Sequence, residues 1–162
     1  MNAIATVFYD WSLAVARMFT WLAPLAVRIT VGLVFMQTGW QKLNALPRMI
    51  QNFRDWGIPA PEILTPLASG IEFVGGLLLL VGLLTRFAAV PMMIVMVVAI
   101  VSAKLGELAP LGAWDYLVNL LGFEEVSYFL MFAWLAIAGP GPVSLDHFIL
   151  KASGRKPSAH GA

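Results

Sequence analysis

The sequence predicts an all-α membrane protein in which four transmembrane helices form a bundle. Composition is the first observation: 60% of the 162 residues are hydrophobic and only 12% are charged, against about 25% charged residues in a soluble domain. The second is a mean hydropathy of +0.83, too high for a surface that faces water. The third is that apolar segments of about 20 residues recur, a length that crosses a hydrocarbon core of about 30 Å at 1.5 Å per residue.

Four spans follow from these apolar segments. They cover residues 21–43, 63–84, 87–103 and a shorter stretch, 124–138, which ends at the Gly-Pro-Gly-Pro run of residues 139–142. Glycine and proline in alternation break a helix, so this run closes the fourth span. Residues 117–123 are then expected to lie along the membrane interface.

Interfacial helices are expected outside the spans. Residues 1–20 contain Asp10 and Arg17 and no small-residue cleavage site, which favours an amphipathic interfacial helix over a removable signal peptide. In the proline-rich loop 44–62, residues 47–56 are expected to form a short surface helix, either an interfacial anchor or a lid over a headgroup-level pocket. Ser144 is predicted to be the N-cap of a short terminal helix. We expect one membrane domain, 1–150, and a flexible polar tail, 151–162.

Basic residues give a prediction of orientation. Four crossings place both termini on one side, with Arg17, Arg86, Lys151, Arg155 and Lys156, while Lys42, Arg48, Arg54 and Lys104 fall on the other. Cytoplasmic loops carry the excess of Lys and Arg, so this small difference favours a multi-pass protein with both termini in the cytoplasm.

Two charged residues fall within predicted spans, Arg28 and Glu72. Intramembrane charges are costly and normally face a partner or a cavity. At 100° per residue each shares a helix face with glycines. The first stripe is Arg28, Gly32, Phe35, Gly39 and Lys42, and the second is Glu72, Gly75, Gly76, Leu79 and Leu83.

The two stripes are expected to pack against each other, because small residues let helices approach closely in lipid. Antiparallel packing places Arg28 about 10 Å and Glu72 about 18 Å from a shared end, so an arginine side chain could bridge most of the gap. Three interpretations are open: a structural ion pair, a proton-handling or ligand-binding pair in a polar cavity, or an unpaired neutral Glu72. Arg28 and Glu72 are the candidate catalytic residues, and Arg28, Lys42 and Glu72 the candidate ligand-binding residues.

The sequence lacks the residues that several kinds of functional site require. The chain has no cysteine, which excludes disulfides, thiolate zinc sites and thiolate-bound iron–sulfur clusters. A haem held by two histidines would need both His147 and His160. The net charge of +1 offers no basic field for nucleic acid. Met92 and Met96 stand at i, i+4 and could offer thioethers to Cu(I), although lipid-facing or packing methionines are favoured; we expect no metal site. Pro91 is expected either to kink its helix or to sit in the first turn.

Several motifs together resemble the DoxX family. In order, they are Arg28-Ile-Thr-Val-Gly32 with Gly39 and Lys42-Leu43, then Gly57-Ile58-Pro59-Ala60-Pro61, Glu72-Phe-Val-Gly75-Gly76, Gly82-Leu83-Leu84-Thr85-Arg86, and the 139–142 run with Ser144-Leu145-Asp146. The resemblance extends over residues 25–147. Thr38 stands where the family commonly has a histidine, so no role of that histidine is carried over.

The resemblance implies a four-helix inner-membrane protein that is a component of an oxidoreductase system; the family name is similar to that of archaeal thiosulfate:quinone oxidoreductase subunits. Because the chain shows no electron carrier of its own, redox chemistry would need a bound quinone or a partner's cofactor. Our leading hypothesis is a subunit that anchors a redox partner and contributes to a quinone site between the first two spans. The alternative is a non-catalytic scaffold or small-solute transport protein. The candidate partners are the lipid bilayer, a redox protein and a second copy of the chain, and the sequence does not fix the oligomeric state.

Overall fold

The computed structural model describes residues 3–108 and 112–153, and every regular element in them is helical. The α-helices are α1 Ala3–Met18, α2 Leu22–Asn44, α3 Leu46–Asp55, α4 Pro61–Val81, α5 Thr85–Ala99, α6 Ala113–Gly122, α7 Glu124–Ala138 and α8 Leu145–Ala152. A π-helical turn, Ile100–Lys104, and a 3-10 turn, Leu105–Leu108, continue α5.

The helices long and apolar enough to cross a membrane are α2, α4 and α5 with its π-helical turn. The fourth crossing is a bent pair: α6 and α7 meet at 64° and satisfy the length and apolarity of a span only together. The bend lies at Phe123, whose backbone is extended. An all-α polytopic membrane fold is therefore confirmed: three helices have the length and apolarity of a span, and there are four spans when the bent α6–α7 pair is counted as one.

The short helices also match their predictions. The proline-rich loop contains α3, as expected for residues 47–56, and α1 occupies most of the first 20 residues. Ser144 caps α8, because its hydroxyl accepts a hydrogen bond of 3.2 Å from the backbone N–H of His147. Pro91 lies inside α5 rather than in its first turn.

The predicted domain boundary at residue 150 falls within α8, and the single-domain division stays a prediction. Most of the predicted tail, including His160, Arg155 and Lys156, lies outside the described residues.

The glycine stripes of α2 and α4 pack against each other as predicted. A Cβ placed on Gly32, Gly39 or Gly76 would come within 3.0 Å of backbone atoms on the opposite helix. Such close approach requires glycine, since any side chain would force the two helices apart. This contact fixes the register of α2 against α4 and hence the depth at which each intramembrane charge lies.

A hydrophobic core fills the middle of the bundle and separates its two ends. It consists of Val31, Phe35, Leu79, Ala88, Ala89, Met92, Met96, Phe132 and Leu135. Its two methionines are buried, and the Met92 sulfur lies against Gly75, which confirms packing as their role. We call the end with the α4–α5 turn and residues 139–146 the termini end, and the end with α3 the loop end.

Candidate functional site

Arg28 lies at the termini end and bonds to backbone rather than to Glu72. Its Nε donates to the Leu79 carbonyl at 3.0 Å, and Nη2 lies 3.4 Å from the Leu80 carbonyl. Its Nη1 donates to the carbonyls of Pro140 at 2.5 Å and Val143 at 2.8 Å. The predicted Arg28–Glu72 pair is therefore wrong.

The end of a helix explains where the Arg28 guanidinium points. The last four carbonyls of α4 have no partner within the helix and carry partial negative charge, so they attract a cation. The chain leaves α4 at Gly82 in the left-handed conformation, with φ +71°. A Cβ at Gly82 would overlap the guanidinium, so this glycine serves both the turn and the arginine.

Asp146 also stabilises the turn between α4 and α5 at the termini end. Its carboxylate accepts the backbone N–H groups of Leu84 at 2.8 Å and Thr85 at 3.1 Å, and its own N–H donates to the Gly82 carbonyl at 3.0 Å. Leu84 has φ +49°, a strained conformation for leucine that these bonds stabilise. We call Arg28, residues 82–86 and residues 139–146 the clasp.

Glu72 instead pairs with Lys42, at the loop end. Lys42 Nζ lies 2.7 Å from Glu72 Oε1, and the two side chains differ in access: the lysine is 33% exposed and the glutamate 3%. The second carboxylate oxygen, Glu72 Oε2, is buried and has no hydrogen-bond partner among the described residues. The pair therefore has an open side at the lysine and an unused acceptor at its buried end.

Two buried hydroxyls extend the face of Glu72 toward the start of α4. Thr65 and Ser69 are fully buried. The Ser69 hydroxyl donates to the Thr65 carbonyl at 2.8 Å, while Thr65 Oγ1 has no partner among the described residues. Sequence reasoning missed both residues, although their spacing of seven and three residues before Glu72 would have placed them on its face.

Two aromatic rings and one hydroxyl lie close in sequence to the Lys42–Glu72 pair. Trp40 lies two residues before Lys42 and Phe73 follows Glu72; their ring centroids are 5.5 Å apart and their planes are tilted by 39°. The Thr38 hydroxyl bonds to carbonyls of its own helix, at 3.0 Å to Val34 and 3.3 Å to Phe35. Thr38 therefore bonds within its own helix and forms no hydrogen bond to Lys42 or Glu72 in the part of the chain that the structure describes.

An open apolar groove of about 470 Å³ lies between α4 and α5. Its walls are residues such as Pro66, Gly70, Val74, Phe87 and Pro91, and neither Lys42 nor Glu72 lines it. The groove and the charged pair are therefore separate features of α4.

Chemically, the Lys42–Glu72 pair combines a cationic donor with a carboxylate that has one free oxygen. Such a pair can bind a ligand that carries both hydrogen-bond acceptors and donors, and it can hold or release a proton at Glu72. Arg28 has no such freedom, because its donors bond to carbonyls of the protein. Of the three predicted ligand-binding residues, the structure brings together Lys42 and Glu72 and places Arg28 elsewhere.

Comparison with known proteins gives consistent matches. The DoxX family model matches residues 23–105. The uncharacterized membrane protein Rv3486 of Mycobacterium tuberculosis is 38% identical over 78% of this chain and 81% of its own length. A Bacillus subtilis protein named "putative oxidoreductase CatD" is 29% identical over 80% of this chain and 89% of its own length.

The inner membrane protein YphA of Escherichia coli is 29% identical over 75% of this chain and 86% of its own length. No solved structure matches.

Proposed function

Because the chain belongs to the DoxX family of membrane proteins, we propose that it is the membrane component of a quinone-linked redox system. In this proposal the Lys42–Glu72 pair binds the quinone headgroup, and the protein anchors a redox partner. The observation that carries the proposal is Glu72, a buried intramembrane carboxylate that uses one oxygen for Lys42 and leaves the other free.

Quinone reduction needs the two groups that this pair supplies. A quinone takes up two electrons and two protons to become a quinol. In this proposal the Lys42 ammonium would donate a hydrogen bond to one quinone carbonyl oxygen, and the Glu72 carboxyl would deliver the two protons one after the other, taking up a proton from water at the loop end before each delivery. Electrons come from the cofactor of a partner protein, since the chain has no cysteine and only two histidines.

Two relatives support this assignment by their names. CatD carries the name "putative oxidoreductase" and YphA the name "inner membrane protein". We accordingly propose an inner-membrane location for this chain, with both termini in the cytoplasm and the loop end at the outer face.

The orientation can be tested directly, because the chain has no cysteine. A single Gln51→Cys on α3 and a single Ser153→Cys after α8 would each be treated in intact cells with a maleimide that cannot cross the membrane. We expect labelling at position 51 and protection at position 153 until the cells are opened. The reverse pattern would overturn the proposed orientation.

A scaffold without catalytic chemistry is the second candidate, and the clasp favours it. Arg28 serves only to tie α2, the end of α4 and residues 140–143 together. If the Lys42–Glu72 pair did the same for the loop end, every intramembrane charge would have a structural role. The two candidates differ in whether Glu72 is needed for a ligand.

Extraction of bound quinone separates them. Wild-type protein, Glu72→Gln and Glu62→Gln would be purified from membranes and extracted with solvent. Glu62 is a matched control, because it forms the exposed pair with Arg54 at 2.6 Å. We expect quinone in the wild type and in Glu62→Gln and its loss in Glu72→Gln. Absence of quinone from the wild type, together with no binding of added short-chain benzoquinone or naphthoquinone, would favour the scaffold.

A further inference from the structure

We propose that Thr65 and Ser69 form a proton path that connects Glu72 with the loop end of the membrane. The path would supply protons to the proposed quinone site, so its purpose rests on the proposed function. Its existence does not, because proton exchange at Glu72 can be measured without quinone.

The geometry of α4 places the three side chains in line. Thr65, Ser69 and Glu72 lie within about 60° of one another around the helix, at 100° per residue. Side chains three or four residues apart have Cβ atoms about 5–6 Å from each other. Each gap can therefore be closed by direct contact or by one water molecule, over a total rise of about 10 Å.

Burial and the hydrogen bonds indicate that something polar completes this line. Thr65 Oγ1 and Glu72 Oε2 have no hydrogen-bond partner among the described residues. Both residues are at least 98% buried. A buried polar atom left unsatisfied is costly, so such atoms normally bind an ordered water. Hydroxyls both donate and accept, which is the property that a proton relay requires.

The path leads outward at the loop end. Thr65 lies one turn from the start of α4 at Pro61, where Glu62 is exposed. In the other direction Val31, Leu79 and Phe132 are fully buried and apolar. A proton therefore reaches Glu72 from the loop end and has no polar route to the termini end through these residues.

Other titratable groups near this end belong to neighbouring helices. Lys42 of α2 is 33% exposed and contacts Glu72 at Oε1, whereas the proposed path serves the buried and unpartnered Oε2. Glu124 and Glu125 begin α7, Tyr128 follows one turn later, and Lys104 lies over the Phe123 ring at 5.5 Å. None of these four forms an ion pair with Glu72 in the described part of the chain. Thr65 and Ser69 remain the polar side chains on the face of Glu72 itself.

Infrared spectroscopy of the protein in lipid films tests the path. The carbonyl band of the protonated Glu72 carboxyl is identified across a pH titration as the band that Glu72→Gln removes. Its shift after replacement of H₂O by D₂O then gives the rate of proton exchange. Thr65→Val and Ser69→Ala remove one hydroxyl each. Thr85→Val is the matched control, since Thr85 is equally buried with an unpartnered hydroxyl but lies at the termini end.

We expect Thr65→Val and Ser69→Ala to slow exchange about tenfold, because each removes one hydroxyl of the proposed relay. Thr85→Val and Thr65→Ser, which keeps the hydroxyl, should exchange at the wild-type rate. Thermal unfolding verifies that each variant is folded, and Thr65→Ser and Ser69→Ala carry the test if Thr65→Val does not fold.

Wild-type exchange rates in Thr65→Val and Ser69→Ala, or the absence of a Glu72 band at any pH, would overturn the path. A protein that binds no quinone but whose Glu72 exchange depends on Thr65 would keep the path and refute the proposed function. Quinone binding together with Glu72 proton exchange that does not depend on Thr65 would keep the proposed function and refute the path.

Discussion

The charged residues at the two ends of the bundle have different kinds of hydrogen-bond partner. At the termini end, Arg28 bonds to several backbone carbonyls and Asp146 to two backbone N–H groups. At the loop end, Lys42 and Glu72 bond to each other, and one carboxylate oxygen stays unused. The clasp joins three parts of the chain that are far apart in sequence, whereas the pair joins neighbouring faces of α2 and α4.

The difference shows how to separate structural from functional charges in a membrane protein. A charge whose hydrogen-bonding capacity is used by backbone has nothing left for a ligand. A charge with a single partner and a free oxygen can change partners or protonation state. We therefore expect substitutions at the clasp to lower stability and substitutions at the pair to lower activity.

Arg28→Met should have the largest effect on stability. It would leave the carbonyls of Leu79, Pro140 and Val143 without their charged donor, and hydrogen bonds to charged groups are worth about 1.5–3 kcal/mol each before compensation. We expect a loss of about 3–5 kcal/mol, seen as a lower unfolding midpoint in detergent or nanodiscs. A midpoint equal to that of the wild type would show that the clasp does not stabilise the bundle.

Gly39→Ala should come next, with a cost of about 1–3 kcal/mol from overpacking. Its Cβ would meet the backbone of Phe73, which cannot move without separating α2 from α4. Gly70→Ala is the control on α4, because nothing lies within 4 Å of the added methyl group. Thermal unfolding of both variants checks this, and equal midpoints would contradict the close contact between α2 and α4.

Asp146→Ala should cost about 0.5–2 kcal/mol, the range for loss of a helix N-cap. The variant would leave the N–H groups of Leu84 and Thr85 without their carboxylate acceptor. It would also remove the bonds that stabilise the strained backbone of Leu84 before α5. Hydrogen exchange at these two amides is the measurement. We expect faster exchange there than in the wild type, and protection that persists in the variant would argue against the cap.

Glu72→Gln should have the smallest effect on stability, below about 1 kcal/mol. Glutamine keeps the shape of glutamate, and Lys42 is exposed enough to turn its ammonium group toward water. Chemical or thermal unfolding of Glu72→Gln, Lys42→Met and the double variant gives the coupling energy of the pair. A stability loss as large as that of Arg28→Met would place the pair among the structural charges.

Much of the fold could be predicted from the sequence because its signals are local. Hydropathy gave the spans, helical periodicity aligned the glycine stripes, and proline placement located α3. The burial of Met92 and Met96 was likewise favoured by composition. The bent fourth crossing was suggested by the short apolar run before Ala138, although its angle depends on the extended Phe123.

The candidate site was harder to predict, for physical reasons. The partners of Arg28 are backbone carbonyls that become available only where α4 ends and residues 140–143 fold back, and residue types do not report them. Helical arithmetic placed Arg28 and Glu72 within bridging distance, but each found a nearer partner. Thr65 and Ser69 could have been found by extending the periodicity of Glu72 by two turns.

The claim that Glu72 serves a ligand while Arg28 serves the fold is tested most directly by measuring both properties in one sample. Wild type, Arg28→Lys and Glu72→Gln in nanodiscs would each be assayed for unfolding midpoint and for the Kd of a short-chain naphthoquinone. We predict a lower midpoint with unchanged Kd for Arg28→Lys. For Glu72→Gln we predict a wild-type midpoint and a Kd raised about tenfold or more. A wild-type Kd in Glu72→Gln would contradict the account.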